Sequence, residues 1–113
     1  MCMKIGKETI LRINHGFGGH LRNDSSLDFA LDIQENKKFG SYRKLAYLIR
    51  AILVDHPFSD ANKRTATFVC FSFADEEKKE VDTDLLIHHI ISIAKQNIIE
   101  IRNIERRMKN AIK

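Results

Sequence analysis

The stretch His56-Pro57-Phe58-Ser59-Asp60-Ala61-Asn62-Lys63-Arg64-Thr65-Ala66 brings an imidazole and a carboxylate on a proline turn up to two cations at the start of an expected helix. An imidazole has an ordinary pKa of about 6.5, which suits a general base that takes a proton from an attacking hydroxyl, so His56 is the candidate base. Free N–H groups and the positive end of the dipole converge at a helix N-terminus and favour phosphate there. Lys63 and Arg64 oppose that dipole from the first turn. Their placement is unfavourable unless an anion lies between them and the helix end, which points to a phosphate site. Asp60, an oxygen ligand beside it, suits a hard cation such as Mg²⁺ carried on nucleotide phosphates.

The elements that must position these residues read as helices. A first helix runs roughly from Gly6 to His15 and stops at Gly16-Phe17-Gly18-Gly19, a cluster that permits left-handed backbone. Ser25 stands three residues before Asp28, a capping-box spacing that starts a short helix through Leu27, Ala30 and Leu31. Residues 34 to 40 are polar and end in glycine, after which Ser41 can cap a third helix. Tyr42, Leu45, Leu48, Ile49, Ile52 and Leu53 recur at spacings of three and four and share one face of a helix from about Tyr42 to Val54. Pro57 disfavours a helical His56 and ends it. From Ala61 or Asn62 to about Lys78 the apolar positions, Phe68 and Phe71 among them, fall on nearly all sides, the pattern of a central buried helix. Asp82 or Thr83 can cap the next, in which Leu85, Leu86, Ile87, Ile90, Ile91, Ile93 and Ala94 should face a core, with an end near Gln96-Asn97. A last helix places Ile101, Ile104, Met108 and Ile112 on one side. The expected fold is all-α: a single compact domain over 1 to 113, five to six helices around the one that starts near Asn62.

Composition agrees. One proline and five glycines beside 43% hydrophobic residues leave too little turn chemistry for a β-sandwich or barrel. The 19 Lys and Arg outnumber the 15 Asp and Glu by four, and residues 102 to 113, with five cations against Glu105, account for all of the excess. A solvated helix face explains this better than nucleic acid does. No apolar run reaches the roughly 18 residues of a membrane span. Cys2, expected exposed, and Cys70, expected buried, lack metal or disulfide spacing, so the chain reads as cytoplasmic with reduced thiols. His15, His20, His88 and His89 match no standard ligand set.

With these residues in place, the chain resembles the Fic/Doc family of nucleotide-dependent protein-modifying enzymes, whose motif reads His-Pro-Phe-x-Asp/Glu-Gly-Asn-Gly/Lys-Arg. The agreement at His56, Pro57, Phe58, Asp60, Asn62 and Arg64 would arise by chance in a chain this short at a frequency of order one in a million. Gly18-Gly19-His20-Leu21-Arg22-Asn23, followed by Leu27, Ala30 and Leu31, is similar to the stretch that precedes the active site in Doc-like members, and the likeness covers about residues 16 to 96. The resemblance implies that His56 activates a target side-chain hydroxyl, that Pro57 and Phe58 shape the loop, and that Asp60 positions Mg²⁺. It implies that Ala61, Asn62, Lys63 and Arg64 form an anion hole for ATP phosphates. It also puts residues 34 to 40 where members carry a flap that aligns the target by strand addition.

Departures from the motif bear on which group is transferred. Members that transfer AMP usually have glycine at the positions of Ala61 and Lys63 and a second arginine at that of Thr67, and all three differ here. Ala61-Asn62-Lys63-Arg64-Thr65-Ala66 instead resembles the death-on-curing (Doc) branch of toxin–antitoxin modules, which transfers the γ-phosphoryl group of ATP. Pro57 favours the AMP-transferring branch. The self-inhibitory helix of some members has no complete copy here: Glu35-Asn36 is the nearest fragment, but Leu31 holds its hydroxyl position. Any inhibition is therefore expected to come from a separate antitoxin-like partner, and by the same resemblance the target could be a translational GTPase. The rival from another class is a helical binding module with a basic tail and no turnover, which needs neither Asp60 at the anion site nor a base at His56.

Overall fold

The computed structural model describes residues 5 to 113, so the expectation for Cys2 lies outside the described residues. Among the described residues six helices follow one another: α1 (Lys7–Gly16), α2 (Ser25–Ile33), α3 (Ser41–Leu53), α4 (Asn62–Glu76), α5 (Thr83–Gln96) and α6 (Ile101–Ala111). Among the described residues the only β-type pairs are two isolated antiparallel bridges, Leu21 with Phe58 and Val81 with Ile112. No described helix is long and apolar enough to cross a membrane.

The three-four spacing of α3 does what it dictates, sealing Leu45, Leu48, Ile49, Ile52 and Leu53 completely. Helices α2, α4, α5 and α6 all pack on α3. The helix expected at the centre, α4, therefore shares that place with α3. Ala66, Val69, Cys70 and Phe73 of α4 are buried, but Phe68 is 48% exposed. Likewise Ile87 and Ile91 of α5 leave the core at 42% and 47% exposure, while Leu86, Ile90 and Ile93 fill it. A run of apolar residues longer than the buried stripe of a helix has to put some of them outside. Cys70 lies against Met108 of α6 at 3.7 Å, and burial pushes its thiol pKa up.

Two expected caps are replaced. Ser25 and Ser41 are the first residues of their helices, behind Asp24 and Gly40, and neither cap position makes a side-chain hydrogen bond. The start of α2 is tied instead by Lys7, whose Nζ pairs with Asp24 at 2.9 Å and Asp28 at 2.8 Å. The hydrogen bonds that Lys7 donates to Asp28 and Asp24 raise its pKa, and the bond from Lys7 lowers that of Asp24. Asp82 caps α5 as its position predicts, its carboxylate accepting from Leu85 N.

The basic last helix is partly neutralised within the fold. Glu105 takes Arg43 at 3.0 Å and Lys109 at 3.3 Å. Burial opposes its ionisation, but these bonds outweigh burial and hold the carboxyl below its usual range. Arg107 bonds Asn103 and the ring of His89.

Candidate active site

Helix α3 ends at Leu53, and the chain must then turn to enter α4 at Asn62. It does so through two residues in the left-handed region, His56 at φ 49° and Ala61 at φ 62°. Non-glycine residues pay to sit there, so the surrounding structure has to hold the loop. The hold comes from both directions. Pro57 is buried and its carbonyl accepts from Arg22 N at 2.8 Å and Asn23 N at 3.2 Å. Phe58 is buried to 1% exposure beneath the loop, and it bridges Leu21. Ser59 and His20 exchange two bonds, Ser59 N to the His20 carbonyl and His20 N to the Ser59 hydroxyl. Asn62 clamps Phe58 reciprocally, its Nδ2 donating to the Phe58 carbonyl and its Oδ1 accepting from Phe58 N. The glycine loop and the histidine loop thus form one unit, which is why two sequence stretches some forty residues apart belong to one site.

A cleft of about 370 Å³ opens on this unit, lined by Leu53, His56, Ser59 and Asp60 together with Ala61, Asn62, Lys63 and Arg64. The sequence-predicted base, cation ligand and anion hole therefore meet in one place. Pro57 and Phe58 are buried and stand outside the lining of this cleft. The first helical turn bond of α4 is Thr65 N to Ala61 O, so the amides of Asn62, Lys63 and Arg64 have no intrahelical acceptor, and no side chain caps the helix. Among the described residues no carboxylate lies within ion-pair distance of Lys63 or Arg64. Two unpaired cations at the positive end of a helix leave a site short of negative charge.

That shortage fits nucleotide phosphates, and the exposed carboxylate of Asp60 fits Mg²⁺, which commonly takes one or two carboxylates with the rest of its shell from phosphate and water. Asp60 Oδ1 currently accepts from Ala61 N at 2.7 Å. A second cleft, of about 330 Å³, adjoins the far side of Lys63 and Arg64 between α4 and α5. Its walls are Phe17, Phe68, Ile87 and Ile91, and the Arg64 guanidinium stands 6.0 Å from the Phe17 ring centre.

Two features were not foreseen. Asn14, 1% exposed in α1, donates from Nδ2 to the Asp60 carbonyl at 2.8 Å and to the Thr65 hydroxyl at 3.1 Å. Its signal in the sequence is a polar residue four places after Ile10, on the face that α1 buries. Residues 34 to 40, expected where a target-aligning flap would lie, fold into consecutive turns, with Phe39 stacked on Tyr47 of α3 at 5.8 Å. They present no extended edge for strand addition.

An all-α domain in which a strained histidine loop feeds an uncapped, cation-bearing helix N-terminus has the chemistry to hold a phosphate. The Fic/DOC family model matches residues 4–74, more than half of the chain and all of this site, and the chain belongs to that family. The match starts earlier than the likeness read from the motifs, taking in α1, and ends inside α4. No curated protein and no solved structure matches the chain. The family as a whole modifies proteins with a nucleotide, generally ATP with Mg²⁺.

Proposed function

We propose that the protein transfers the γ-phosphoryl group of ATP to a hydroxyl side chain of a protein target, in the manner of the Doc branch. The observation that carries this reading is the single cleft in which His56 faces an uncapped α4 N-terminus bearing Lys63 and Arg64. The target hydroxyl gives its proton to His56 as its oxygen attacks the γ-phosphorus. The bond from that phosphorus to the bridging oxygen breaks, and ADP leaves. Backbone amides of α4 with Lys63 and Arg64 hold the phosphate charge through the transfer. Mg²⁺ held by Asp60, when bound, neutralises charge on the phosphate oxygens.

The choice of the γ position is supported by Thr67, whose hydroxyl is engaged by the Lys63 carbonyl at 2.8 Å and lacks the fork with which an arginine grips a diphosphate. AMP transfer, with attack at the α-phosphorus and pyrophosphate leaving, is the second reading, favoured by Pro57. The substrate is a cytoplasmic protein, with a translational GTPase suggested by the Doc likeness. Any inhibition comes from a separate antitoxin-like partner, since the chain carries no complete self-inhibitory motif.

The test is incubation with Mg²⁺, cell extract and ATP labelled at the α or γ position, beside His56→Ala. Label from γ-ATP on a protein band that disappears with His56→Ala is the expected result. Label from α-ATP selects AMP transfer, and no label from either would refute both in favour of a binding module.

A further inference from the structure

We propose that Asn14 is a positioning residue that fixes the Asp60–Ala61 peptide with its N–H directed into the phosphate cradle. The proposal rests on the reading of the α4 N-terminus as that cradle. In a planar trans peptide the carbonyl and the N–H point in opposite directions. Asn14 Nδ2 holds the Asp60 carbonyl at 2.8 Å from the buried side. The Ala61 N–H is therefore sent the other way, toward the cleft that Asp60 and Ala61 line, where the Asp60 carboxylate accepts it at 2.7 Å. An anionic oxygen already sits on this amide, which is the interaction a phosphate oxygen needs.

The alternative orientation is locally attractive. Rotating this peptide by half a turn would take Ala61 from φ 62° to about −118°, from a region alanine resists to one it adopts freely. It would also turn the Asp60 carbonyl, an acceptor, into the cleft and repel phosphate. Alanine's own preference favours the flip, and the bond from Asn14 opposes it. Gly19 makes that bond possible. A β-carbon there would lie 2.6 Å from the Asp60 carbonyl oxygen and 2.7 Å from Asn14 Nδ2, while the Gly19 N–H donates to the Asn14 carbonyl at 3.1 Å. The second Nδ2 bond, to Thr65, keeps the amide plane aligned across the first turn of α4.

The test compares Asn14→Leu, similar in volume and without a donor, with Thr65→Val, which removes the other partner and leaves the Asp60 bond intact. In ¹⁵N-labelled protein without nucleotide, the three-bond HN–Hα coupling of Ala61 reports its φ, and calorimetric titration with Mg·ATP reports the cradle. Asn14→Leu is expected to move the coupling to that of an extended residue and to weaken Mg·ATP about tenfold, the effect of one lost buried hydrogen bond. Thr65→Val should keep both, and Ala61→Gly added to Asn14→Leu should restore part of the affinity, since glycine has no such preference. If Asn14→Leu does not fold, Asn14→Ser, too short to reach the carbonyl, reads the same two quantities. An unchanged coupling and affinity in the Asn14 variants, or equal losses with Thr65→Val, would overturn the proposal. The coupling is read without ligand, so it decides on Asn14 even if the native protein takes up no Mg·ATP, a result that counts against the phosphate reading alone.

Discussion

Replacing Ala61 by glycine should make the protein more stable, although it removes a side chain at the start of an interior helix. Ala61 sits at φ 62° and ψ 28°, where a β-carbon crowds the backbone at a cost of about 1–2 kcal/mol. Glycine relieves that crowding but enlarges the unfolded ensemble, which takes back roughly 0.4–1 kcal/mol. The difference is a gain of about 0.5–1 kcal/mol. At about 2.1 cal/mol/K per residue, unfolding 113 residues carries an entropy near 0.24 kcal/mol/K, so Tm should rise by about 2–4 °C. Lys78, at φ 56° just past α4, supplies the control: its neighbour Lys79 N reaches back to the Ala74 carbonyl at 2.8 Å, the bond of a helix stop that favours glycine. Lys78→Gly should raise Tm by a similar amount, and the two gains should add because the sites lie at opposite ends of the helix. Thermal unfolding followed by circular dichroism checks both. A Tm that rises in Lys78→Gly but stays level or falls in Ala61→Gly would mean that the loop does not hold Ala61 in a left-handed conformation, and the strain argument would fail with it.

Gly19→Ala should act in the opposite sense. Its β-carbon overlaps the buried Asn14 amide and the Asp60 carbonyl, and overpacking of this kind costs about 1–3 kcal/mol, or about 4–12 °C of Tm, whereas Gly16→Ala enters open space and should change little; differential scanning calorimetry separates the two. Desolvation, then the charge of Arg107 and the neighbouring His88, holds the His89 pKa below its ordinary value. The folded state therefore favours neutral His89. That contribution is complete above about pH 6.5 and is lost as pH falls through the folded value, so the urea midpoint should decline from pH 7 to 5 and His89→Gln should flatten the decline. An equal slope in the variant would place the pH dependence elsewhere.

The helices were legible because each carries its own period. The face of α3 is written in six residues at spacings of three and four, and the burial of Leu45 through Leu53 follows from it. The candidate site was legible for a different reason: an imidazole, a carboxylate and two cations are packed into nine residues around a proline turn, and the structure brings His56, Asp60, Lys63 and Arg64 to one cleft. What could not be read depends on which surfaces meet. Hydrophobicity puts Phe68, Ile87 and Ile91 in the core, yet among the described residues they stand 42–48% exposed on the outer side of α4 and α5. Ser25 and Ser41 had the right chemistry for caps, but Lys7, eighteen residues before Ser25, ties the start of α2 through Asp24 and Asp28. Asn14 carries no such signal, because a single buried polar residue is meaningful only once its partners, the Asp60 carbonyl and the Thr65 hydroxyl, are known.

The arrangement of the strained loop also says how the site depends on the rest of the fold. His56 and Ala61 both occupy conformations that their own backbones resist, and neither is held by its sequence neighbours alone. Beside the local clamp of Asn62 on Phe58, the restraints come from residues 14 to 23: Asn14 on the Asp60 carbonyl, His20 on Ser59, and Arg22 with Asn23 on the Pro57 carbonyl. These contacts are tertiary, so the positions of His56 and Ala61 depend on how α1 and the glycine loop pack against the histidine loop and α4. A chain that kept every residue of the motif but lost the docking of α1 would retain the chemistry in composition and lose it in position. That is the physical sense in which the family match, reaching from residue 4 to residue 74, encloses one structural unit: the glycine loop belongs to the candidate site as much as the histidine loop does.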